Sequence, residues 1–110
     1  MGYKDRLSAK VPEKGFYYHY KHDPAVLNDH AYEVVGLARN TEDKSFLVLY
    51  LPLYENDWFV PATHQARPLE MFMENVTKDG KTFPRFARIM DQKIVTELSA
   101  IRDRMYGETT

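Results

Sequence analysis

The chain contains no cysteine, which removes several kinds of chemistry at once. Disulfide frameworks, thiolate metal sites and cysteine nucleophiles are excluded, and the absence fits a reducing compartment. No stretch approaches the roughly 20 apolar residues that cross a bilayer, and residues 1–10 alternate charged with single apolar residues, unlike a signal peptide. We therefore expect a cytoplasmic protein with no membrane partner.

The common catalytic motifs are also missing. The sequence has no Gly-x-Ser-x-Gly, no phosphate-binding glycine loop and no His-Glu-x-x-His, and only five glycines in all. These absences favour a non-catalytic binding module over an enzyme, and no cofactor is predicted.

The composition that remains is that of an ordinary folded domain. Hydrophobic residues make up 44% and charged residues 28% of the chain, close to an average globular composition. At 110 residues the chain is long enough for one hydrophobic core and too short for two. We predict a loose lead-in over residues 1–14, a β-barrel domain over residues 15–89, and a C-terminal helix and tail over residues 90–110.

Apolar and aromatic runs separated by turn residues predict five short strands, at residues 16–22, 31–39, 45–51, 58–60 and 83–89, the last interrupted by Pro84. The five-residue polar linker 40–44 predicts an antiparallel hairpin between the second and third strands. Simple alternation in the second strand places Tyr32 and Val34 on one face, and Glu33 and Leu37 on the other. Residues 61–68 are interpreted as an inserted loop, residues 69–76 as one or two helical turns, and Asp79-Gly80 as a tight hairpin turn.

The apolar period changes after Asp91. Ile94, Leu98, Ile101 and Met105 recur at helical spacing, and Asp91 is a suitable N-cap for a helix that ends near residue 107. This apolar stripe must pack on the domain itself or on a second subunit. Packing within the domain is favoured, because a small barrel leaves one mouth to cover.

Together these elements predict a mainly β fold, all-β or α+β. The simplest architecture is a small SH3-like antiparallel barrel of about five short strands with a C-terminal amphipathic helix. An open antiparallel sheet with the helix packed on it is the alternative.

An ordered set of motifs resembles a known family. The motifs are Gly-Phe-Tyr-Tyr-His-Tyr-Lys at 15–21, residues 32–39, Thr41-Glu42, residues 47–50, Leu53-Tyr54, Arg-Pro-Leu-Glu-Met-Phe at 67–72, and Gly80 followed by Pro-Arg-Phe at 84–86. They are similar, over residues 15–89, to a small bacterial family catalogued as domain-of-unknown-function family sixteen-fifty-three. The resemblance implies a compact, mainly β domain and no known reaction. Residues 59–66 lengthen the gap that the family pattern has after Trp58, and the helix after Ile89 lies outside the shared region.

Two polar constellations suggest chemistry only superficially. His19 and His22 resemble metal ligands, but residues three apart on a strand point to opposite faces and no third ligand has motif spacing, so no metal site is predicted. Glu70 and Glu74 are spaced for one face of a helical turn, where exposed glutamates are the simpler interpretation.

Aromatic residues and arginines provide the strongest functional signal. Strand alternation cannot bury every ring of residues 16–20, so some rings should line a surface groove where they stack on a ligand. The predicted ligand-binding residues are Tyr17, His19, Tyr20, Tyr32, Arg39, Tyr50, Tyr54, Trp58, Arg67 and Arg85. The competing interpretation is structural, with tyrosine hydroxyls bonded to the backbone and arginines paired with glutamates.

The leading hypothesis is therefore a binding module for a peptide, a protein or a nucleic-acid strand, as a monomer or homodimer. One alternative is a small-molecule-binding protein or minor enzyme that uses His19, Glu70 and Arg67. The other is an assembly protein that dimerises through its C-terminal helix.

Overall fold

Two antiparallel sheets and one long helix form the fold in a computed structural model that describes residues 11–60 and 63–107. The elements are β1 (Gly15–His19), β2 (Ala31–Arg39), β3 (Phe46–Pro52), β4 (Gln65–Pro68), α1 (Leu69–Phe72), β5 (Asn75–Lys78), β6 (Lys81–Pro84), β7 (Phe86–Arg88) and α2 (Gln92–Tyr106). The five-stranded sheet has the order β4-β3-β2-β1-β7, and β5 and β6 form a separate hairpin. The predicted mainly β class is confirmed.

The hairpin of β2 and β3 has the extent expected from the sequence but contains a β-bulge. The pairing shifts between Val34 and Gly36, because Val34 pairs with Tyr50 and Gly36 with Leu49. A bulge adds one residue to one strand and reverses the side-chain phase beyond it. Leu37 therefore packs in the same cluster as Val34, and the simple alternation expected for this strand was wrong past the bulge.

The fourth strand lies later in the chain than expected. Residues 58–60 form no strand, because the Asn56 side chain and carbonyl accept the backbone N–H groups of Trp58 and Phe59 and make a turn. The strand forms instead at Gln65–Pro68, inside the stretch interpreted as an inserted loop, where it pairs with β3. Pro68 is tolerated there because β4 is an edge strand that ends at this residue.

The single strand expected at residues 83–89 is divided into β6 and β7. The chain bends at Arg85, whose N–H donates to the carbonyl of Glu74 while its own carbonyl accepts from Tyr20. Before this bend, Asp79 and Gly80 have φ values of 53° and 76° and connect β5 to β6, which confirms the predicted tight turn.

Each face of the five-stranded sheet carries its own buried cluster. The inner face carries the larger cluster, covered by α1 and made of Tyr17, Tyr32, Val34, Val48, Tyr50, Leu69, Phe72 and Phe86. The other face, here called the helix face, packs against α2 through Phe16, Ala31, Leu53, Ile89 and Leu98. The sheet stays open, since β4 and β7 are its two edges and share no pairing, so the closed barrel is not formed.

The terminal helix packs within its own chain. Asp91 accepts a hydrogen bond from the backbone N–H of Lys93 at 2.9 Å, as expected of an N-cap, and Gly107 ends the helix with φ 80°. Leu98 is fully buried, Arg102 pairs with Glu33 of β2 at 2.8 Å, and the Tyr106 hydroxyl donates to the carbonyl of Pro52. The sheet thus covers the apolar stripe.

The described part of the predicted lead-in is tied to the sheet. The Glu13 carbonyl accepts the Tyr17 hydroxyl at 2.8 Å, and its carboxylate pairs with Arg88 at 2.7 Å. Residues 1–10 of the lead-in lie outside the described residues. No helix among the described residues is long and apolar enough to cross a membrane.

Candidate functional site

Three tyrosines of the predicted ligand-binding set form the wall of the inner face. Tyr17, Tyr32 and Tyr50 are only 6%, 7% and 5% exposed. The Tyr32 hydroxyl shares a hydrogen bond of 2.5 Å with that of Tyr54, and burial with this bond raises the pKa of Tyr32 far above its usual range. These rings therefore support a site rather than offer a free surface for stacking.

His19 lies beside these tyrosines at the end of β1. Its ring is 5.0 Å from the ring of Phe86, which it meets edge to face, and 5.6 Å from the ring of His30. Its Nδ1 accepts the backbone N–H of Lys21 at 3.1 Å. The neutral ring therefore carries its proton on Nε2, which donates to no acceptor among the described residues.

Burial and surrounding positive charge hold His19 neutral. Burial lowers the pKa of His19 most, and the nearby cationic groups lower it further, to about 4. These groups, in order of effect, are His30, Arg67, Arg85 and Lys21. At neutral pH the imidazole is thus an uncharged hydrogen-bond donor close to Arg67, Arg85 and Lys21.

Arg67 connects the two edges of the sheet. Its guanidinium carbon, on edge strand β4, lies 5.3 Å from the ring centre of Phe86 on the opposite edge strand β7. Four strand spacings separate these strands along the sheet, roughly 19 Å if it were flat. The sheet must therefore bend strongly around its inner face, and we call the place where Arg67 meets Phe86 the seam.

The Arg67 guanidinium has no carboxylate partner among the described residues. Its only recorded hydrogen bond runs from one terminal nitrogen to the sulfur of Met71 at 3.5 Å, and its Nε is buried without an acceptor in the described part of the chain. Buried donors normally have acceptors, so this guanidinium is available to an anion.

Arg85 and Tyr20 border the same seam. Arg85 forms a short ion pair with Glu74 through one terminal nitrogen, while its buried Nε lacks an acceptor among residues 11–60 and 63–107. The Tyr20 ring lies 4.5 Å from the His19 ring and 5.8 Å from that of Phe83. Arg85 is therefore only partly neutralised.

An open pocket adjoins the seam. It has a volume of about 410 Å³ and is lined by Tyr50, Trp58, Gln65, Ala66 and Arg67; we call it the Trp58 pocket. The Trp58 side chain is 81% exposed, and the Gln65 amide donates to its backbone carbonyl at 3.2 Å. Arg67 is shared by the Trp58 pocket and the seam, so the two form one continuous site.

The structure does not bring the whole predicted set together. Tyr54 adjoins the site through His30, at 5.4 Å between ring centres, and through Tyr32. Arg39 lies apart, at the far end of the β2–β3 hairpin, where its guanidinium covers Phe46 at 4.5 Å. Tyr17 faces a second depression of about 380 Å³ on the other side of Phe72 and Phe86.

The two other constellations are separated. His22 stacks on the Tyr18 ring at 3.5 Å, on the strand face opposite to His19. Within the described residues no three histidine or acidic side chains are grouped to hold a metal ion. Glu70 is exposed on α1, whereas Glu74 lies beyond α1 and is engaged by Arg85.

Two site residues were not predicted. His30 has a positive φ of 49° and lies beside Asp29, whose carboxylate is 3.0 Å from its Nδ1. Phe86 is stacked on Phe72 with ring centres 4.3 Å apart and supports both Arg67 and His19. Phe86 belongs to the Pro-Arg-Phe motif, so that motif was the available signal.

Comparison with known proteins identifies relatives without an assigned reaction. Residues 15–88 match the family model described as Protein of unknown function (DUF1653). The chain is also similar to a solved structure, the crystal structure of a DUF1653 protein from Bordetella bronchiseptica, with 31% identity and a TM-score of 0.56 over 71% of this chain and 87% of that one. No curated protein matches.

Proposed function

Since the chain belongs to the DUF1653 family of proteins of unknown function, we propose its function from the site itself: a non-catalytic binding module that holds an extended ligand. Its groove would consist of the Trp58 pocket and the seam. A peptide or a nucleic-acid strand is the ligand class that such a groove suits. A cytoplasmic location belongs to the same proposal, since the chain lacks cysteine.

The observation that carries this proposal is the composition of the Trp58 pocket. An indole that is 81% exposed stands beside the phenol of Tyr50 and the guanidinium of Arg67, which no described carboxylate pairs. Aromatic rings and arginine are the side chains that most often dominate binding energy at interfaces. A ligand with a flat apolar part and an anionic group would engage the indole and the guanidinium, while the buried Tyr50 supports them.

The lining of the pocket supports binding rather than catalysis. Among the described residues that line it, Tyr50 is the one that usually transfers protons, and its side chain is only 5% exposed. At the seam, the Nδ1 of His19 is already occupied by the backbone N–H of Lys21. Of the carboxylates considered for acid–base chemistry, Glu74 is held by Arg85 and Glu70 is exposed on α1. General acid–base catalysis needs such a group within reach of the substrate.

The charge of the site favours a peptide over a nucleic acid. Arg85 is paired with Glu74, and His30 lies against Asp29, so Arg67 and Lys21 are the cations near the groove without a carboxylate partner among the described residues. The net charge of the chain is −1. A nucleic-acid strand requires several phosphate contacts, whereas one carboxylate of a peptide complements one guanidinium.

Fluorescence of the single tryptophan provides a direct test, because Trp58 lies in the pocket. We expect a pool of random-sequence hexapeptides with free carboxyl ends to shift its emission to shorter wavelength. Replacing Trp58 removes the probe, so binding to Trp58→Ala is followed by calorimetry and should weaken about tenfold or more, as for an interface hot spot. Met90→Ala is the matched control, since Met90 is a 74% exposed apolar side chain next to α2 and outside the groove.

The same titration with an oligothymidylate separates the two ligand classes. Peptide binding should change little between low and high salt, whereas oligothymidylate binding would weaken steeply. Binding of oligothymidylate alone would transfer the proposal to nucleic acid. No response to either probe would reject the binding module.

A small-molecule site is the second candidate function. The Trp58 pocket, at about 410 Å³, falls within the range of about 300–1,000 Å³ typical of small-ligand sites. A fragment screen by ligand-observed NMR in which Trp58→Ala abolishes the hits, together with no peptide response, would favour this candidate.

A further inference from the structure

We propose that the seam is a carboxylate-binding site, formed by the guanidinium of Arg67 with the ring N–H of His19 and the Nε–H of Arg85. This inference deepens the proposed function and rests on it, because the carboxylate would belong to the bound peptide. The seam would then fix the position of one acidic side chain or of the C-terminal carboxyl group.

Three donors at the seam have no acceptor among the described residues. They are the buried Nε atoms of Arg67 and Arg85 and the Nε2–H of His19, whose other ring nitrogen already accepts from Lys21. Leaving a buried donor without an acceptor typically costs about 1–3 kcal/mol. The arginine side chains must turn for a ligand oxygen to reach the two buried Nε atoms, and such an oxygen would then remove that cost.

The charges that face His19 show which acceptor fits. His30 faces His19 from the β1–β2 connection, and the carboxylate of Asp29 lies at the Nδ1 of His30. Arg67 faces His19 from β4. Arg85 faces it from the bend between β6 and β7, where a terminal nitrogen of Arg85 pairs with Glu74. The strand of His19 itself contributes Tyr20 and, just beyond, Lys21. Among the described residues, Arg67 and Lys21 have no carboxylate partner, so the seam keeps an excess of positive charge that a carboxylate reduces.

Arginine geometry supports the same assignment. The planar guanidinium donates two parallel hydrogen bonds to the two oxygens of one carboxylate, and such bonds are stronger than neutral ones. Phe86 already holds the guanidinium in place, 5.3 Å from its ring centre, so the side chain loses little freedom on binding.

Binding should be linked to protons through His19. A bound anion favours the charged imidazole, and an opposite charge nearby raises a pKa by about 1–3 units. The second proton would go to Nδ1 and replace the hydrogen bond that it accepts from Lys21. Protonation would accompany binding between pH 7 and pH 4, since the pKa of His19 in the protein without ligand is about 4. For a rise of 1–2 units, linkage makes the affinity about two- to tenfold higher at pH 5 than at pH 7.

N-acetylglycine, a minimal C-terminal carboxylate, is the probe for this site. We expect a titration at constant ionic strength, followed by NMR, to move the Nε–H signals of Arg67 and Arg85 and the ring signals of His19. The affinity should rise at pH 5 by the factor given above. Unmoved signals at 100 mM probe, or an affinity independent of pH, would overturn the proposal.

Matched arginine variants test the contact itself. Arg67→Gln should weaken N-acetylglycine binding about tenfold or more, as expected for a charged hydrogen-bonded pair. Arg39→Gln is the control, because Arg39 also covers a phenylalanine ring, but that ring is Phe46 beside the β2–β3 turn and not Phe86 at the seam. If Arg67→Gln fails to fold, Arg67→Lys replaces it, keeping the charge but losing the paired donors; unchanged affinity in either folded variant contradicts the assignment.

Glu74 offers a test that loss of folding cannot imitate. Its carboxylate occupies Arg85 and competes electrostatically with a ligand carboxylate. Glu74→Gln should therefore increase the affinity for N-acetylglycine about two- to fivefold, the size of an exposed ion pair. An unchanged or lower affinity would contradict the part assigned to Arg85.

Two outcomes separate this inference from the proposed function. If hexapeptides shift Trp58 emission equally in the unmutated protein and in Arg67→Gln, the carboxylate assignment fails while the binding module stands. If N-acetylglycine binds and no hexapeptide does, the site survives and the peptide function fails. Inorganic phosphate binding more tightly than N-acetylglycine at pH 5, where both are monoanions, would overturn the carboxylate class.

Discussion

Acid should destabilise this protein through His19 at a higher pH than through Asp29 and Asp43. The folded-state pKa of His19 is about 4, against 6.5 for a free histidine, because burial and neighbouring cations oppose its protonation. The unfolded chain therefore binds this proton more readily than the folded protein. Stability rises with pH wherever the unfolded state binds more protons, so the loss falls between pH 6.5 and pH 4.

The size of this loss follows from the shift. A difference of about 2.5 units corresponds to about 3 kcal/mol for a fully shielded group. His19 is only partly buried, so solvent screening reduces the expected loss to roughly 1–2 kcal/mol. The pKa values of Asp29 and Asp43 are lowered in the folded protein. The stability that these two carboxylates contribute is lost below about pH 3.8, outside the pH range in which His19 acts.

Urea unfolding at pH 7.5, 6.5, 5.5 and 4.5, at fixed ionic strength, measures the effect. The free energy of unfolding of the unmutated protein should fall by roughly 1–2 kcal/mol more than that of His19→Gln over this range. Glu33 has a raised pKa, so through this residue acid stabilises the folded protein, opposite to the effect of His19. Subtracting the two profiles removes this contribution of Glu33 to the free energy of unfolding. His64→Gln, at an exposed histidine, controls for the loss of one histidine. Parallel profiles for the unmutated protein and His19→Gln would refute the reasoning.

Three further substitutions test the framework that holds the site. Leu98→Ala removes a fully buried side chain between α2 and the sheet and should cost about 3 kcal/mol in urea unfolding. Tyr54→Phe leaves the buried Tyr32 hydroxyl without its partner and should lower the free energy of unfolding by about 1 kcal/mol, with no change in the secondary structure seen by circular dichroism. Gly80→Ala meets no neighbouring atom but requires an alanine at φ 76°, so thermal unfolding should show a loss of about 1 kcal/mol from the backbone alone.

Features decided by neighbouring residues were predictable from the sequence. The strand predicted at residues 31–39 coincides with β2, and the helix begins at the predicted cap Asp91. The turn at Asp79-Gly80 has the positive φ values that the dipeptide permits. Each of these features depends on the conformational preference of a few adjacent residues, and a short stretch of sequence is enough to predict it.

Features decided by distant pairing were not predictable. β4 forms at Gln65–Pro68 because that segment finds β3 as a partner, and nothing in its own pattern marks a strand. The bulge at Val34 and Gly36, which turns Leu37 to the inner face, also depends on the register with β3. Strand propensity is weak against such context, so the sequence favoured the aromatic residues 58–60 instead.

The excess of aromatic rings had a different outcome from the one expected. Tyr17, Tyr32 and Tyr50 fill the inner face, because the strong bend of the sheet encloses more ring surface than a flat sheet of short strands would. In the part of the chain that the structure describes, Trp58 is the ring left mostly exposed. The groove hypothesis therefore depends on Trp58 and its neighbours rather than on the number of rings.

A comparison of two arginines shows why Arg67 is more than a cover for a hydrophobic ring. Arg39 and Arg67 both lie over a phenylalanine, and neither has a carboxylate partner in the described residues. Arg39 is exposed, so water satisfies its donors; the Nε of Arg67 is buried and lacks an acceptor within residues 11–60 and 63–107. An apolar side chain would cover Phe86 without that cost. The buried donor is explained when an acceptor arrives from outside the chain, which is the step that connects the seam to a ligand.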